Sequence, residues 1–174
     1  AIFPAFETHH LVDPAGKVAL NYLKTNLVPF AEDAIFVQGD GRLPVLDTPY
    51  GRIAVAICHD LDHFDFMQQA GEQNVDIVFA PTGDWADIKR VHLGMFALRA
   101  IEQGFTLVRP TRGGISAVVD PQGRILASLD RGDAHFDGRI ANADVPAETS
   151  VLVGEAPVKG VVTMYRIVKD TLAW

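Results

Sequence analysis

The chain has 174 residues, 48% hydrophobic and 21% charged, which is enough to bury one substantial core and too little for two ordinary domains. A formal net charge of -7 with no lysine or arginine cluster excludes the phosphate attraction that non-specific nucleic-acid binding requires. No apolar run reaches the length of a membrane span, and Ala1-Ile2-Phe3-Pro4 lacks the basic flank and apolar stretch of a signal peptide, so the piece reads as soluble.

In chain order, the first predicted element is a hairpin. His9–Val12 enters the turn Asp13-Pro14-Ala15-Gly16, and Lys17–Leu20 leaves it. Pro presets φ at the second place of a type I turn, and Asp at the first accepts from nearby backbone amides. A loop follows, Tyr22 to Glu32, and then a looser hairpin, Val45 to Ile53, which feeds the apolar run Arg52–Ile57. That run predicts a buried strand ending at Cys58, with a sharp turn into the polar stretch His59-Asp60-Leu61-Asp62-His63. Two helices are predicted, Phe64 to Gln73 and about Ile88 to Gln103, the second stopping before Gly104. Each precedes an apolar strand, Val75–Ala80 and Thr106–Arg109. A second Asp-Pro-x-Gly hairpin joins Ser116–Val119 to Arg124–Ala127 through Asp120-Pro121-Gln122-Gly123. The alternation of strands and helices is an α/β layered pattern. From Pro146 to Met164 the chain is rich in Pro, Gly, Val and Ala without a period, as in an extended surface-following arm.

Cys58 is the only cysteine, so it forms no internal disulfide. A lone cysteine is most often inert packing, but the end of a buried strand at a polar turn is where a nucleophile sits. A neutral thiol needs a base or a positive charge beside it. His59 is adjacent in sequence and on a continuing strand would point away, which argues against a Cys58–His59 dyad. Lys24 lies in a loop with Glu32 eight residues on, and taken alone would be a solvated lysine.

Tyr22-x-Lys24-x-x-Leu27-Val28-Pro29-Phe30-x-Glu32 is followed by Gly-Arg-Ile-Ala-Val-Ala-Ile-Cys-His-Asp ending at Asp60, and then by Asp84-Trp85. Arg99-Ala100-Ile101-Glu102-Gln103-Gly104, Gly114-Ile115-Ser116-Ala117 and Asp120-Pro121-Gln122-Gly123-Arg124 come after. Taken in this order and spacing, the set resembles the nitrilase, or carbon-nitrogen hydrolase, superfamily, and within it the branch of apolipoprotein N-acyltransferases and their membrane-anchored relatives. The resemblance runs from about Leu11 to the C-terminus. It implies an α-β-β-α sandwich with a catalytic Glu, Lys and Cys: a general acid/base, a stabiliser of the tetrahedral intermediate, and a nucleophile. Cys58 matches the nucleophile and Lys24 the lysine. Glu32 matches a second glutamate beside the active site. Asp60 stands where that branch commonly has glutamate, and the His59 amide, just after the nucleophile, would be an oxyanion donor. Asp84 and Trp85 fall on a loop of substrate contacts, although a tryptophan there serves equally as a loop anchor.

The first family glutamate has no match, because only 23 residues precede Lys24 and Glu7 stands in no matching context. The expectation is therefore a single partial domain over 1–174, incomplete at its N-terminus and inactive or nearly so alone, with 146–174 as an arm leading toward a membrane helix. Exposed sheet edges in such a piece predict self-association, a homo-oligomer or aggregate. The resemblance further implies phospholipid as acyl donor, an amine acceptor (or water in a hydrolase), and a membrane-anchored protein with this domain in the aqueous phase, extracytoplasmic rather than cytoplasmic. No cofactor is implied. A metal role for His59, Asp60 and His63 is disfavoured, since no further group with ligand spacing follows. An inert module of the same fold is the alternative from another class. His92, Arg99 and Glu102 read as ion pairs and hydrogen bonds tying a helix to the sheet. Arg109 and Arg112 read as surface cations or anion contacts.

Overall fold

A computed structural model describes residues 5–130 and 151–169. The first hairpin pairs β1 (Thr8–Val12) with β2 (Val18–Leu23) as a separate ribbon. Its turn forms as the residues dictate: Asp13 Oδ1 accepts the amides of Ala15 and Lys17 at 2.9 Å each, and Gly16 takes φ 81°. The main sheet has six strands in the order β10-β9-β7-β5-β4-β3. These are β3 (Val45–Thr48), β4 (Gly51–Val55), β5 (Ile77–Phe79), β7 (Thr106–Arg109), β9 (Ile115–Val119) and β10 (Ile125–Asp130). The central β4, β5 and β7 are parallel, and β3, β9 and β10 add antiparallel edges.

Parallel neighbours need crossovers, which are α1 (Phe64–Glu72) and α2 (Lys89–Gln103). Both crossovers step the same way across the sheet, so their right-handedness puts both helices on one face. The helices touch there. Val55, Val78, Leu107 and Val119 from the strands meet Met67, Ala70, Leu93, Phe96 and Ala100 from the helices in one buried core. This is an α/β arrangement with a mixed sheet, as the resemblance implied. Short parallel strands β6 (Thr82–Gly83) and β8 (Thr111–Arg112) pair just beyond the ends of β5 and β7.

Residues 151–163 carry no regular element but are docked, with Val161 N donating to Gly104 O at 2.7 Å and Gly160 N to Asp76 Oδ1 at 2.9 Å. Gly104, the left-handed end of α2 at φ 75°, is needed there, because a Cβ would collide with the Val161 carbonyl. A short α3 (Met164–Val168) follows. The remainder of the expected arm, 146–150 and 170–174, lies outside the described residues. No helix among the described residues is long and apolar enough to cross a membrane.

One local expectation is corrected: the strand before the cysteine ends at Val55, and Cys58 opens a 3-10 helix, Cys58–Asp62, instead of closing a strand. The edge-to-edge pairing continues irregularly, with Ala56 N on Phe79 O at 3.1 Å and Cys58 N on Pro81 O at 3.0 Å. At Cys58 itself φ becomes 46°. A non-glycine residue in that region is strained and needs surroundings that hold it.

Candidate active site

Asp60 does that holding. Its Oδ2 accepts Ile57 N at 2.8 Å and the Tyr22 hydroxyl at 2.7 Å, while Oδ1 accepts Asn26 N at 2.8 Å and Asn26 Nδ2 at 3.1 Å. The carboxylate is fully buried, and four internal donors occupy its oxygens. Asp60 therefore ties the cysteine turn to β2 and the loop after it, and its side chain is not aimed at a substrate. That corrects the placement suggested by its position two residues beyond Cys58. Burial, reinforced by the charge of Asp60, pushes the Tyr22 hydroxyl far above the ordinary phenol range, so it remains a donor.

Cys58 Sγ lies 3.9 Å from Gly83 O, at the end of β6, and the residue is partly buried. Burial pushes the thiol up; the Lys24 charge pulls it down, and Asp84 and Glu32 push it up again. The net shift is upward, so the resting group is a thiol that must lose its proton to react.

Lys24 is wholly buried and paired with two carboxylates. Nζ donates to Glu32 Oε2 at 2.6 Å and lies 3.1 Å from Glu7 Oε2. Burial works against the ammonium, but Glu32, Glu7 and the neighbouring Cys58 outweigh it and hold the pKa above the ordinary lysine value. Glu32 is itself fixed by Val28 N at 2.9 Å, within the loop that begins at the end of β2. Glu7 is a site residue that sequence reasoning passed over. The register of the hairpin puts it there: Thr8 pairs with Leu23, and Lys24 N continues the ladder to Glu7 O at 3.0 Å. A regular count back from the Asp-Pro-Ala-Gly turn would have set Glu7 opposite Leu23; an irregularity between Leu11 and Val12 shifts the register by one residue and brings Glu7 opposite Lys24. Burial raises the Glu7 pKa despite Lys24.

A second charged cluster lies behind Gly83. Arg109 is fully buried, not a surface cation, and Nη2 donates to Asp84 Oδ2 at 2.6 Å. Its Nη1 donates to Ile115 O at 2.7 Å, and the guanidinium stacks 4.8 Å over the Phe96 ring. Asp84 Oδ1 pairs with His92 Nδ1 at 2.7 Å, and His92 Nε2 lies 3.3 Å from Asp62 Oδ1. Gly113-Gly114 makes room for this: a Cβ on Gly114 would come within 2.5 Å of Asp84 Oδ2. Burial opposes ionisation of Asp84, but His92 and Arg109 outweigh it and keep the carboxyl below its usual range. Burial likewise works against a charged His92, yet Asp62 and Asp84 lift its pKa to about 9.

The expected site residues thus divide. Cys58, Lys24 and Glu32 come together electrostatically. Asp84 is an interior ion-pair partner, and Trp85 beside it is 52% exposed. The His59 ring turns to Asp62, with Nδ1 2.8 Å from Oδ2, and its Nε2 meets His63 Nε2 at 3.3 Å. Among the described residues no group of three His, Cys, Asp or Glu side chains could hold a metal ion. Arg99 and Glu102 form an i,i+3 pair at 2.8 Å on α2, apart from the His92 cluster.

Residues 3–150 match the carbon-nitrogen hydrolase family. The chain is 28% identical over 162 residues to an apolipoprotein N-acyltransferase of Shewanella oneidensis, covering 87% of this chain and 30% of that protein. A second, from Bradyrhizobium diazoefficiens, is 30% identical over 177 residues, covering 88% and 33%. The chain therefore spans about a third of the length of the curated relatives it matches. Among solved structures, an amidase from Nesterenkonia sp. superposes with a TM-score of 0.64 at 31% identity, covering 71% of this chain and 50% of that one. Other structures of that amidase show acrylamide added at its active-site cysteine and a complex with butyramide.

Proposed function

The chain belongs to the carbon-nitrogen hydrolase family, and on that premise we propose that it carries the nucleophilic half of a cysteine-dependent acyl-transfer site, as in the apolipoprotein N-acyltransferases. The Cys58 sulfur adds to an acyl carbonyl carbon, and the carbonyl oxygen becomes an oxyanion. Lys24 Nζ and the His59 backbone N–H stabilise that charge; one such donor is worth roughly 100- to 1,000-fold in rate. Collapse breaks the bond to the leaving group, which departs with a proton and leaves a thioester on Cys58. An amine nitrogen then attacks the thioester carbon, the C–S bond breaks, and the thiol regains its proton.

The observation that carries this reading is the buried Lys24, gripped by Glu32 and Glu7 and coupled in charge to Cys58. Because the thiol is pushed up, a carboxylate must take its proton. Of the two carboxylates on Lys24, Glu7 has the raised pKa suited to proton exchange, and Glu32, in two aligned hydrogen bonds, is suited to holding the ammonium still. The donor would be phospholipid and the acceptor a lipoprotein amino terminus, at a membrane to which segments beyond these residues attach the protein. A second reading, hydrolysis of small amides, has support from the 31% identity to the Nesterenkonia amidase; water then replaces the amine.

Acyl capture tests the proposal. The protein is incubated with phospholipid vesicles or with a small amide, and intact mass is read before and after hydroxylamine. The resemblance implied a chain inactive alone for want of its first glutamate; with Glu7 on Lys24 as the proton acceptor, a hydroxylamine-labile acyl adduct, absent in Cys58→Ala, is expected instead, and the donor that forms it separates transfer from hydrolysis. Unmodified protein with both donors would leave the inert module standing.

A further inference from the structure

Two features set where the Cys58 sulfur sits: the turn that carries it, which ends at Asp62, and the Gly83 carbonyl that it faces, which precedes Asp84. Both Asp62 and Asp84 converge on one imidazole, His92, from the second turn of α2. We propose that His92, as an imidazolium, is the positioning residue for Cys58, bridging the end of the thiol's own turn to the residue after the carbonyl that the thiol faces.

Both carboxyls are held below their usual range, and facing two carboxylates the ring is favoured in its charged form. Nδ1 stands 2.7 Å from Asp84 Oδ1 and Nε2 stands 3.3 Å from Asp62 Oδ1, so both ring nitrogens face carboxylate oxygens. A neutral ring has one N–H, and either tautomer would turn a nitrogen lone pair toward an anion in a buried site. The Asp62 contact is an ion pair without hydrogen-bond alignment, and so depends on charge more than on direction. Charge balance agrees. Arg109 from β7 neutralises one of the two carboxylates, and no other described cation faces His92 directly; His59 meets Asp62 through its other oxygen, and Cys58 lies near Asp84. The Phe96 ring, 4.2 Å from the imidazole centroid, closes the remaining side. The upward shift of the His92 pKa to about 9 follows from the same contacts. At neutral pH the bridge is closed. Proton loss turns one attraction into a repulsion, and Asp62 is the partner better able to move, since Asp84 is wholly interior and also held by Arg109 whereas the other contact of Asp62, to His59, is part-exposed.

The inference rests on Cys58 being the nucleophile, but its test does not use acyl chemistry. In the full chain, long-range proton–nitrogen NMR reads both His92 ring nitrogens from pH 6 to 10.5. Both should be protonated at pH 7, with a midpoint near 9. In Cys58→Ser, which removes the thiol's own titration, the backbone amides of residues 59–62 should shift with that same midpoint, and His92→Gln added to that background should abolish the shift. A neutral His92 at pH 7, or turn amides that stay flat while His92 titrates, would overturn the proposal. Both decisive readings are made with His92 intact, so an unfolded His92→Gln variant would not hide the answer. Failure to capture an acyl adduct would leave these readings unchanged and would sink only the functional reading.

Discussion

Two cationic clusters flank the thiol, and they differ in what holds them and in what can change them. Lys24 sits between Glu7 and Glu32, whose side chains are partly exposed, and its ammonium stays charged at any physiological pH. His92 sits between Asp62, which is part-exposed, and Asp84, which is wholly interior and backed by the equally interior Arg109. The first cluster is a fixed charge next to a reactive atom. The second is a titratable brace under the turn that carries it. A shared motif of one cation between two carboxylates thus does different work depending on whether an anion has a second, buried cation behind it and whether the first cation can lose its proton.

The contrast predicts unequal responses to mutation and pH. The largest effect is expected from Arg109→Ala, which leaves the buried Asp84 carboxylate short of a partner; breaking such a pair costs about 3–5 kcal/mol, read as a shift of the urea midpoint. A loss under 1 kcal/mol would mean that the second cluster is not the interior brace described. Next comes pH. His92 has its pKa raised from 6.5 to about 9, so its contribution, roughly 3 kcal/mol, is complete below pH 6.5, declines above it, and is gone once pH exceeds about 9. Urea unfolding at pH 6, 7.5 and 9.5 should show this fall, and His92→Gln should flatten it.

Smaller in energy but closer to the chemistry is Lys24→Ala. Removing the charge that pulls the Cys58 pKa down should push the thiol higher and slow iodoacetamide alkylation at pH 7. An unchanged rate in folded protein would separate Lys24 from the thiol. The smallest effects should split the two glutamates. Glu32→Gln, which weakens the 2.6 Å contact and the Val28 bond, should lower stability by about 1 kcal/mol. Glu7→Gln should cost less in stability yet more in acyl capture. The reverse order would reassign their roles.

How much of this could be read beforehand follows the range of each interaction. Both Asp-Pro-x-Gly hairpins, the two helices and the central strands were legible because turn chemistry and hydrophobic period are local. The same locality misled at Cys58, where an apolar run promised strand up to the thiol and Asp60, reaching back to Tyr22 and forward of it to Asn26, bent the backbone instead. Asp60 itself looked like a site residue from its spacing and turned out to be a clamp. Glu7 was hidden by a one-residue register shift between Leu11 and Val12, since a regular count from the turn sets it opposite Leu23 and not Lys24. His92 was legible as a residue tying its helix to the sheet but not its two partners, and the burial of Arg109 was not legible, since charged side chains are mostly exposed and nothing local marks a buried one.

The residues alone determined the alternation of elements, the placement of a single thiol at the end of the central run, and the family pattern that pairs it with Lys24 and Glu32. Tertiary structure alone decided which charges are interior, that Glu7 joins Lys24, and that one imidazole spans the cysteine turn and the strand opposite. The physical reason is that propensity and turn geometry act over a few neighbouring residues, whereas burial and charge balance are set by groups that the fold brings together from different elements, such as Glu7 and Lys24, Asp84 and Arg109, or Asp62 and His92.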